Sequence, residues 1–380
     1  MKITLIMSPF LELPPIAIGA VEKLFYQLAG EWVNNGNEVA FVCCGGGDDE
    51  RMKFVRLKKY NRTGTTKKDV FWDLLYSIKA LWKCPKTDIL LCNTFWSPAL
   101  APLFRWKYKR LVYGVHRYPK GQFWLYPFVH AFICVSTAVA DELKRQLGEN
   151  RNIQTINNPV DVKMPHSHRG RIFTIVNPID EAVFNEKVQR QPVKGRVLYA
   201  GRVHPAKGLS CLAKACKRLH EHGECSELVL VGVYDKAKGG GGDEFVGALR
   251  DAAAPCPVTV TGAISDPCRL ADIERTAEVF VYPSEDALGE ACPIAPMEAM
   301  ALGVPTVVSD MACYKDYVLQ GENADMFKCA DDSSLANSIG ELMRDSDRAT
   351  RIASKAVQTM KAYSRTNVAH KYECIMKELF

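Results

Sequence analysis

Residues 281–310 read Val281-Tyr-Pro283-Ser-Glu285-Asp286-Ala-Leu-Gly289-Glu290-Ala-Cys-Pro293-Ile294-Ala295-Pro296-Met-Glu298-Ala-Met-Ala-Leu-Gly303-Val-Pro305-Thr-Val-Val-Ser-Asp310. The apolar run Val279–Tyr282 ends at Pro283, and Gly303-Val-Pro305 punctuates before Thr306-Val-Val308. This spacing predicts strand, loop, helix, stop and a second strand. Two carboxylates then flank one helix start, Glu290 in the loop before it and Glu298 in its first turns. Pro293 and Pro296 fall where a missing N–H costs little. A helix start at the carboxyl edge of a parallel strand favours an anionic ligand, because free N–H groups and the positive dipole end point there. The carboxylates need another partner. A sugar nucleotide supplies one, with its diphosphate on the helix start and its hydroxyls donating to the acids.

The pair Glu290-x7-Glu298 followed by Ala-Met-Ala-x-Gly303-x-Pro305 resembles the signature of retaining glycosyltransferases of the GT-B fold, in particular family four. Read without the resemblance, Glu298 is an early-helix acid favoured by the dipole and Glu290 a solvated loop residue. The resemblance implies an α/β protein of two Rossmann-like domains, with parallel sheets facing a central cleft.

Working outward, Arg196-Val-Leu-Tyr-Ala-Gly201-Arg202-Val-His204-Pro-Ala-Lys207-Gly208 is a buried strand delivering two cations on a glycine turn near a helix start. Such donors suit a leaving diphosphate. The stretch resembles the family's Gly-Arg-x(4)-Lys-Gly element. Val258–Gly262 is a strand whose end, by the resemblance, lies beside the nucleotide base. Lys236–Asp243 holds four consecutive glycines without P-loop spacing, which reads as a surface linker or as a loop beside the donor.

The amino-terminal half opens as βαβ, with a strand over residues 2–7, a loop from Pro9 to Glu22, a helix from Val21 to Asn35 and a strand from Glu38 to Cys43. Gly19 and Glu22 match the family's Gly-Gly-x-Glu turn, while Ala20 replaces its second glycine. Gly19 also reads as an ordinary strand-to-helix glycine. Further short strands at Lys53–Leu57, Ile89–Cys92 and Arg110–Tyr113 alternate with helices such as Val70–Trp82, the pattern of a parallel sheet covered on both faces. His116 follows one strand end and resembles the family's histidine at the donor sugar; a lone histidine is also a common structural residue. Ser136 is placed to cap a helix over Thr137–Gly148. Asn177-Pro178-Ile-Asp180-x3-Phe184 resembles a family strand-end motif, with Pro178 as the departure.

The chain thus divides into an acceptor-side domain over 1–184, a polar linker over 185–194 and a nucleotide-sugar domain over 195–362. A final helix over 363–380 is expected to pack back on the first domain. The resemblance implies Glu290, His116, Arg202 and Lys207 as catalytic residues. Donor binding falls to Arg202, Lys207, Glu290, Ile294, Ala295, Glu298, Gly19 and Gly262. It implies no metal and no cofactor, and no Asp-x-Asp element is placed to carry a divalent ion.

With 380 residues and 47% hydrophobic content the chain can core two domains. No apolar run is long enough to span a membrane and no leader pattern opens the chain, so a cytoplasmic protein is expected, at the inner face of the membrane if it meets one. The fourteen cysteines lack metal-ligand spacing and read as buried free thiols. The net charge of +6 is uneven, since residues 51–120 hold 17 Lys and Arg against 3 Asp and Glu, interleaved with aromatics. That segment, extended to 126, suits an anionic membrane surface, an acidic saccharide or plain solvation. Nucleic acid is disfavoured, because no binding module accompanies the charge. The implied reaction carries a sugar from a nucleoside-diphosphate sugar, UDP-linked before GDP-mannose, to a saccharide or lipid-linked acceptor in envelope glycan synthesis. A sugar-nucleotide epimerase and a silent sugar-nucleotide binder share these motifs. A dehydrogenase does not, because Gly-x-Gly-x-x-Gly is missing after the first strand.

Overall fold

The computed structural model describes residues 1–14, 19–148, 155–156 and 170–380. The expected loop over 9–22 lies partly outside these residues. Two compact units emerge: Met1–Asn177 with Arg365–Phe380, and Pro178–Ser364.

The first unit contains β1 (Lys2–Ile6), α1 (Ala20–Asn34), β2 (Glu38–Cys43), β3 (Lys53–Arg56), α2 (Thr66–Lys83), β4 (Thr87–Cys92), α3 (Ser97–Leu100), a 3-10 segment Ala101–Lys107, β5 (Tyr108–Val115), β6 (Ala131–Cys134), α4 (Thr137–Leu147), β7 (Thr155–Ile156) and β8 (Arg171–Thr174). Every pairing is parallel, in the order β3-β2-β1-β4-β5-β6-β8-β7. Central strands such as β4 and β6 are apolar and almost wholly buried, as a sheet covered on both faces demands. Ser136 accepts a hydrogen bond from the Val139 amide at 3.3 Å and so caps α4.

The second unit runs β9 (Arg196–Ala200), α5 (Leu209–Glu221), β10 (Glu227–Val231), α6 (Gly242–Ala253), β11 (Val258–Gly262), α7 (Pro267–Arg275), β12 (Val279–Tyr282), α8 (Ala295–Ala301), β13 (Thr306–Ser309), β14 (Asp325–Phe327), α9 (Asp332–Arg344) and α10 (Ser346–Met360). Its parallel sheet has the order β11-β10-β9-β12-β13-β14. Strand order therefore reverses between β9 and β12, so the loops leaving these neighbouring strands diverge and open a crevice at their carboxyl ends.

The last helix, α11 (Arg365–Glu378), belongs to the first unit and packs against α1. The Trp32 indole N–H donates to the Ala369 carbonyl at 3.1 Å and the Asn35 amide to Glu373 at 2.8 Å. Tyr372, Ile375 and Met376 are buried there, each worth about 1.5–3 kcal/mol of apolar burial.

One boundary differs from the sequence reading. The chain passes from the first unit to the second at Asn177–Pro178, and the polar stretch 185–194 is part of the second unit rather than a linker. Arg190 anchors it, donating to the carbonyls of Gly303 and Ala277. Polar composition reads as a linker, whereas the half-buried Arg190 guanidinium ties the segment to two carbonyls of the second unit. All fourteen cysteines are free thiols, eleven of them buried.

Candidate functional site

The second unit gathers its chemistry at the strand-order reversal. After β9 the chain turns at Gly201, presents Arg202 and forms a short 3-10 turn, Pro205–Lys207. His204 sets this turn, its Nδ1 accepting from the Ala206 amide at 3.2 Å. Gly208 then starts α5 with φ +67°, and a Cβ there would lie 1.9 Å from the Pro283 carbonyl oxygen. Only glycine lets the loop after β9 press this closely on the loop after β12. That contact carries Lys207 to Glu290.

Glu290 is 5% exposed and Lys207 8%. The Lys207 ammonium donates to Glu290 Oε1. The same oxygen accepts from Ser284 Oγ at 2.9 Å and from the Tyr282 hydroxyl at 3.2 Å. Among the described residues, Oε2 takes no hydrogen bond. A buried carboxylate with one paired cation and two neutral donors meets the condition for keeping charge in a low-dielectric site. Burial, then the Glu290 charge, pushes the Tyr282 phenol well above its usual range, so it stays protonated and remains a donor. Tyr199 stacks on it with ring centroids 5.4 Å apart and donates to the Arg202 carbonyl at 2.9 Å. The loop that carries Glu290 is itself pinned, with Asp286 accepting from the Gly289 amide at 2.8 Å and Tyr317 donating to the Pro293 carbonyl at 3.2 Å.

Arg202 donates to the Gly239 carbonyl at 3.3 Å. The glycine-rich stretch is therefore fastened to the turn after β9, and the Gly241 amide adds a bond to the Val203 carbonyl at 2.8 Å. Gly262 closes β11, its carbonyl accepting from the Gly232 amide at 3.0 Å. Ile294 and Ala295 stand at the start of α8, which has only seven residues, so its dipole contributes little and the cations carry the electrostatics. Glu298 lies in the first turn of α8, half-buried.

Close to Glu298 stands a residue that the sequence reading missed. Glu274 on α7 is completely buried, and neither carboxyl oxygen has a hydrogen-bond partner. Burial first, then the Glu298 charge, pushes its pKa well above the usual carboxylate range, against the pull of Arg275. Burial and the neighbouring Glu298 charge thus both favour its neutral form. Nothing in its local sequence marks it. Ser284 and Tyr282 were also missed as partners of Glu290, and their only sequence signal is their place at the end of β12.

Gly19 and His116 lie in the first unit. Gly19 has φ +132° at the start of α1, and a Cβ there would meet Glu22 Oε2 at 2.7 Å. Glu22 is buried, and burial raises its pKa although Arg117 and Arg62 pull the other way. His116 directly follows β5 and packs edge-on against Phe25 of α1, with centroids 5.1 Å apart. The residue keeps some exposed surface, but its Nε2 is enclosed and has no hydrogen-bond partner. Burial, and secondarily Arg117, lowers its pKa to about 4. The first unit thus brings Gly19, Glu22 and His116 around the start of α1, and the second brings Arg202, Lys207 and Glu290 together. Among the described residues no three His, Cys, Asp or Glu side chains form a metal-ligand group, and no helix is long and apolar enough to cross a membrane.

Two parallel sheets of this order define a GT-B protein, and solved structures agree. Sucrose-phosphate synthase from Thermosynechococcus elongatus aligns with all of this chain and 99% of its own, at TM-score 0.77 and 18% identity. Anabaena HepE, solved with UDP and glucose, aligns at TM-score 0.71 and 16% identity over 100% of this chain and 99% of its own. At these identities the likeness establishes the fold. Residues 181–359 match the family description Glycosyl transferases group 1, and residues 20–164 match Glycosyltransferase Family 4. The chain belongs to the family-four glycosyltransferases. A lipopolysaccharide 1,2-N-acetylglucosaminetransferase of Salmonella typhimurium is 29% identical over 187 residues, 48% of this chain and 48% of its own. The chain spans about half the length of the curated relatives it matches.

Proposed function

We propose that the protein is a retaining glycosyltransferase that moves a sugar from a nucleoside-diphosphate sugar to a saccharide or lipid-linked saccharide in envelope polysaccharide or glycoconjugate synthesis. A UDP-sugar is the favoured donor and GDP-mannose the next. The observation that carries this reading is the buried Glu290 carboxylate, held on one oxygen by Lys207, Ser284 and Tyr282 at the strand-order reversal of the second unit. The UDP bound by HepE and the acetylglucosamine transferred by the Salmonella relative support the donor class.

In this reading Glu290 Oε2 accepts from donor-sugar hydroxyls and its charge steadies an oxocarbenium-like centre, the logic that glycosidases also use. Glu298 holds the ribose, with Ile294, Ala295 and Gly262 shaping the remaining donor contacts. Arg202 and Lys207 offset charge that grows on the diphosphate as the sugar C1–O bond breaks. Lys207 meets the phosphate while already paired with Glu290, so Arg202 supplies the net positive charge. Attack comes from the face the diphosphate leaves: the acceptor oxygen bonds to C1 and its proton passes to a departing phosphate oxygen. In the first unit His116, neutral at physiological pH, offers a hydrogen bond to a sugar hydroxyl rather than a charge. No metal takes part.

The test is to incubate the purified chain with UDP- and GDP-sugars in EDTA, with and without lipid-linked saccharides, and to follow nucleotide release and product anomers. Acceptor-dependent release with the donor's anomeric configuration kept supports the reading. An isomerised sugar nucleotide formed without acceptor overturns it for an epimerase, and tight binding without turnover overturns it for a sensor.

A further inference from the structure

Helix α2 turns an apolar stripe away from its own core. Phe71, Ile78 and Trp82 are 53%, 44% and 68% exposed, with half-buried Leu75 between them. Their spacing of four, three and four residues places all four within about 60° of one another at 100° per residue, along a line of about 16 Å. The face packed on the unit is the opposite one, formed by Asp73, Tyr76, Ser77, Ala80 and Leu81. The adjoining 3-10 segment extends the stripe. Trp82 meets Phe104 at 6.4 Å between centroids, Phe104 meets Trp106 at 5.5 Å, and Leu103 and Trp106 are 67% and 61% exposed. Lys107 fastens the two elements, donating to the carbonyls of Trp82 and Cys84 at 3.0 and 2.9 Å.

Charge decides what covers this surface. Lys67, Lys68, Lys79 and Lys83 stand exposed on α2, flanking the stripe. The helix's two acids are engaged elsewhere: Asp73 is buried and accepts from the Trp96 amide, and Asp69 accepts from Thr63. A second copy of this chain would bring the same lysines against their own images, and like charges oppose that pairing. An anionic bilayer offers phosphates to the lysines and an interfacial layer that suits tryptophan.

We propose that α2 and the segment Ala101–Lys107 form a docking surface for an anionic lipid bilayer, with Phe71, Ile78, Trp82, Leu103 and Trp106 entering the interface and the α2 lysines reaching the headgroups. The surface does not depend on the donor assignment. The experiment is co-sedimentation of the full chain with vesicles of phosphatidylcholine alone and of phosphatidylcholine mixed with phosphatidylglycerol, whose negative surface attracts basic segments. The expected result is binding to the anionic vesicles only, weakened at least tenfold by W82S/W106S, by K79E/K83E, and by about 0.5 M salt, roughly three times the physiological ionic strength. These side chains are exposed, so the variants keep their fold, checked by an unchanged thermal midpoint and an unchanged circular-dichroism spectrum. No binding by the wild type, or equal binding by W82S/W106S, overturns the proposal. So does a lipid-free dimer, seen by light scattering, that W82S/W106S dissolves.

Discussion

The two units handle ionisable groups in opposite ways. In the second, Glu290 and Lys207 are both buried and both charged, because each supplies the other's counter-ion and two hydroxyls complete the set. In the first, His116 Nε2 is enclosed without a hydrogen-bond partner and Glu22 is buried more strongly than Arg117 and Arg62 compensate, so both move toward their neutral forms. In the proposed function the paired site meets the diphosphate sugar, and the unpaired, neutral one offers hydrogen bonds to hydroxyls. Glu274 departs from that pattern within the second unit, since it is buried and its carboxyl oxygens are unpartnered like His116 Nε2.

Removing one member of the pair is expected to produce the largest effect. Lys207→Ala should lower kcat/KM at least a hundredfold, about 3 kcal/mol of transition-state stabilisation. It should also cost about 3–5 kcal/mol of stability, because Glu290 is left as an uncompensated buried charge. The double variant Lys207→Met/Glu290→Gln should recover most of the stability and none of the turnover. Denaturant titration beside initial-rate kinetics separates the two effects, and full activity in a folded Lys207→Ala protein would remove Lys207 from the site.

Next in size is the pH response of the first unit. The folded His116 pKa of about 4 is depressed below the unfolded value near 6.5, so its contribution to stability is present above pH 6.5 and is lost as pH falls toward 4. His116→Phe should flatten the acid limb of a midpoint-versus-pH curve over that window. An unchanged acid limb would mean that His116 titrates normally.

Gly208→Ala should cost about 2 kcal/mol, through its positive φ and the collision with the Pro283 carbonyl. It should also raise KM for the donor by moving Lys207 away from Glu290. Thermal melts and saturation kinetics on one preparation check both parts.

The smallest effect belongs to Glu274. Its raised pKa means that stability is present below the unfolded glutamate value near 4.5 and is lost as pH rises above it, the reverse of His116. Glu274→Gln should remove that loss and raise the midpoint slightly at pH 8. A lower midpoint for the variant at that pH would show that the carboxylate is stabilised by a partner.

Much of the fold was legible because it is encoded locally. Val279–Tyr282, Pro283 and Gly303-Val-Pro305 fix strand, loop and stop within one stretch, and the alternation of apolar runs with helices gives two parallel sheets. The helix over Val70–Trp82 was visible too, but it begins four residues earlier, at Thr66. What was not legible depends on distant contacts. Ser284 and Tyr282 converge on Glu290 through a loop closure, and Arg202 meets Gly239 across a glycine-rich stretch that composition alone reads as a plain linker. Arg190 ties 185–194 into the second unit by two carbonyls remote in sequence. Glu274 looks like any helix-end acid until α7 is packed. The aromatics of 71–106 were obvious in composition, whereas their shared outward face appears only once the phase of α2 against its core is known.

The decisive measurement is the thermal midpoint of the full chain, in EDTA, against UDP-, GDP- and ADP-sugars and their free diphosphates. A ligand that binds only the native state must raise it, by about 2.7 kcal/mol of stabilisation at a hundred times its Kd. A rise with the UDP series, abolished in Lys207→Met/Glu290→Gln, is the predicted result. No rise with any diphosphate at millimolar concentration, or an equal rise in that double variant, would contradict a donor site built on Glu290 and Lys207.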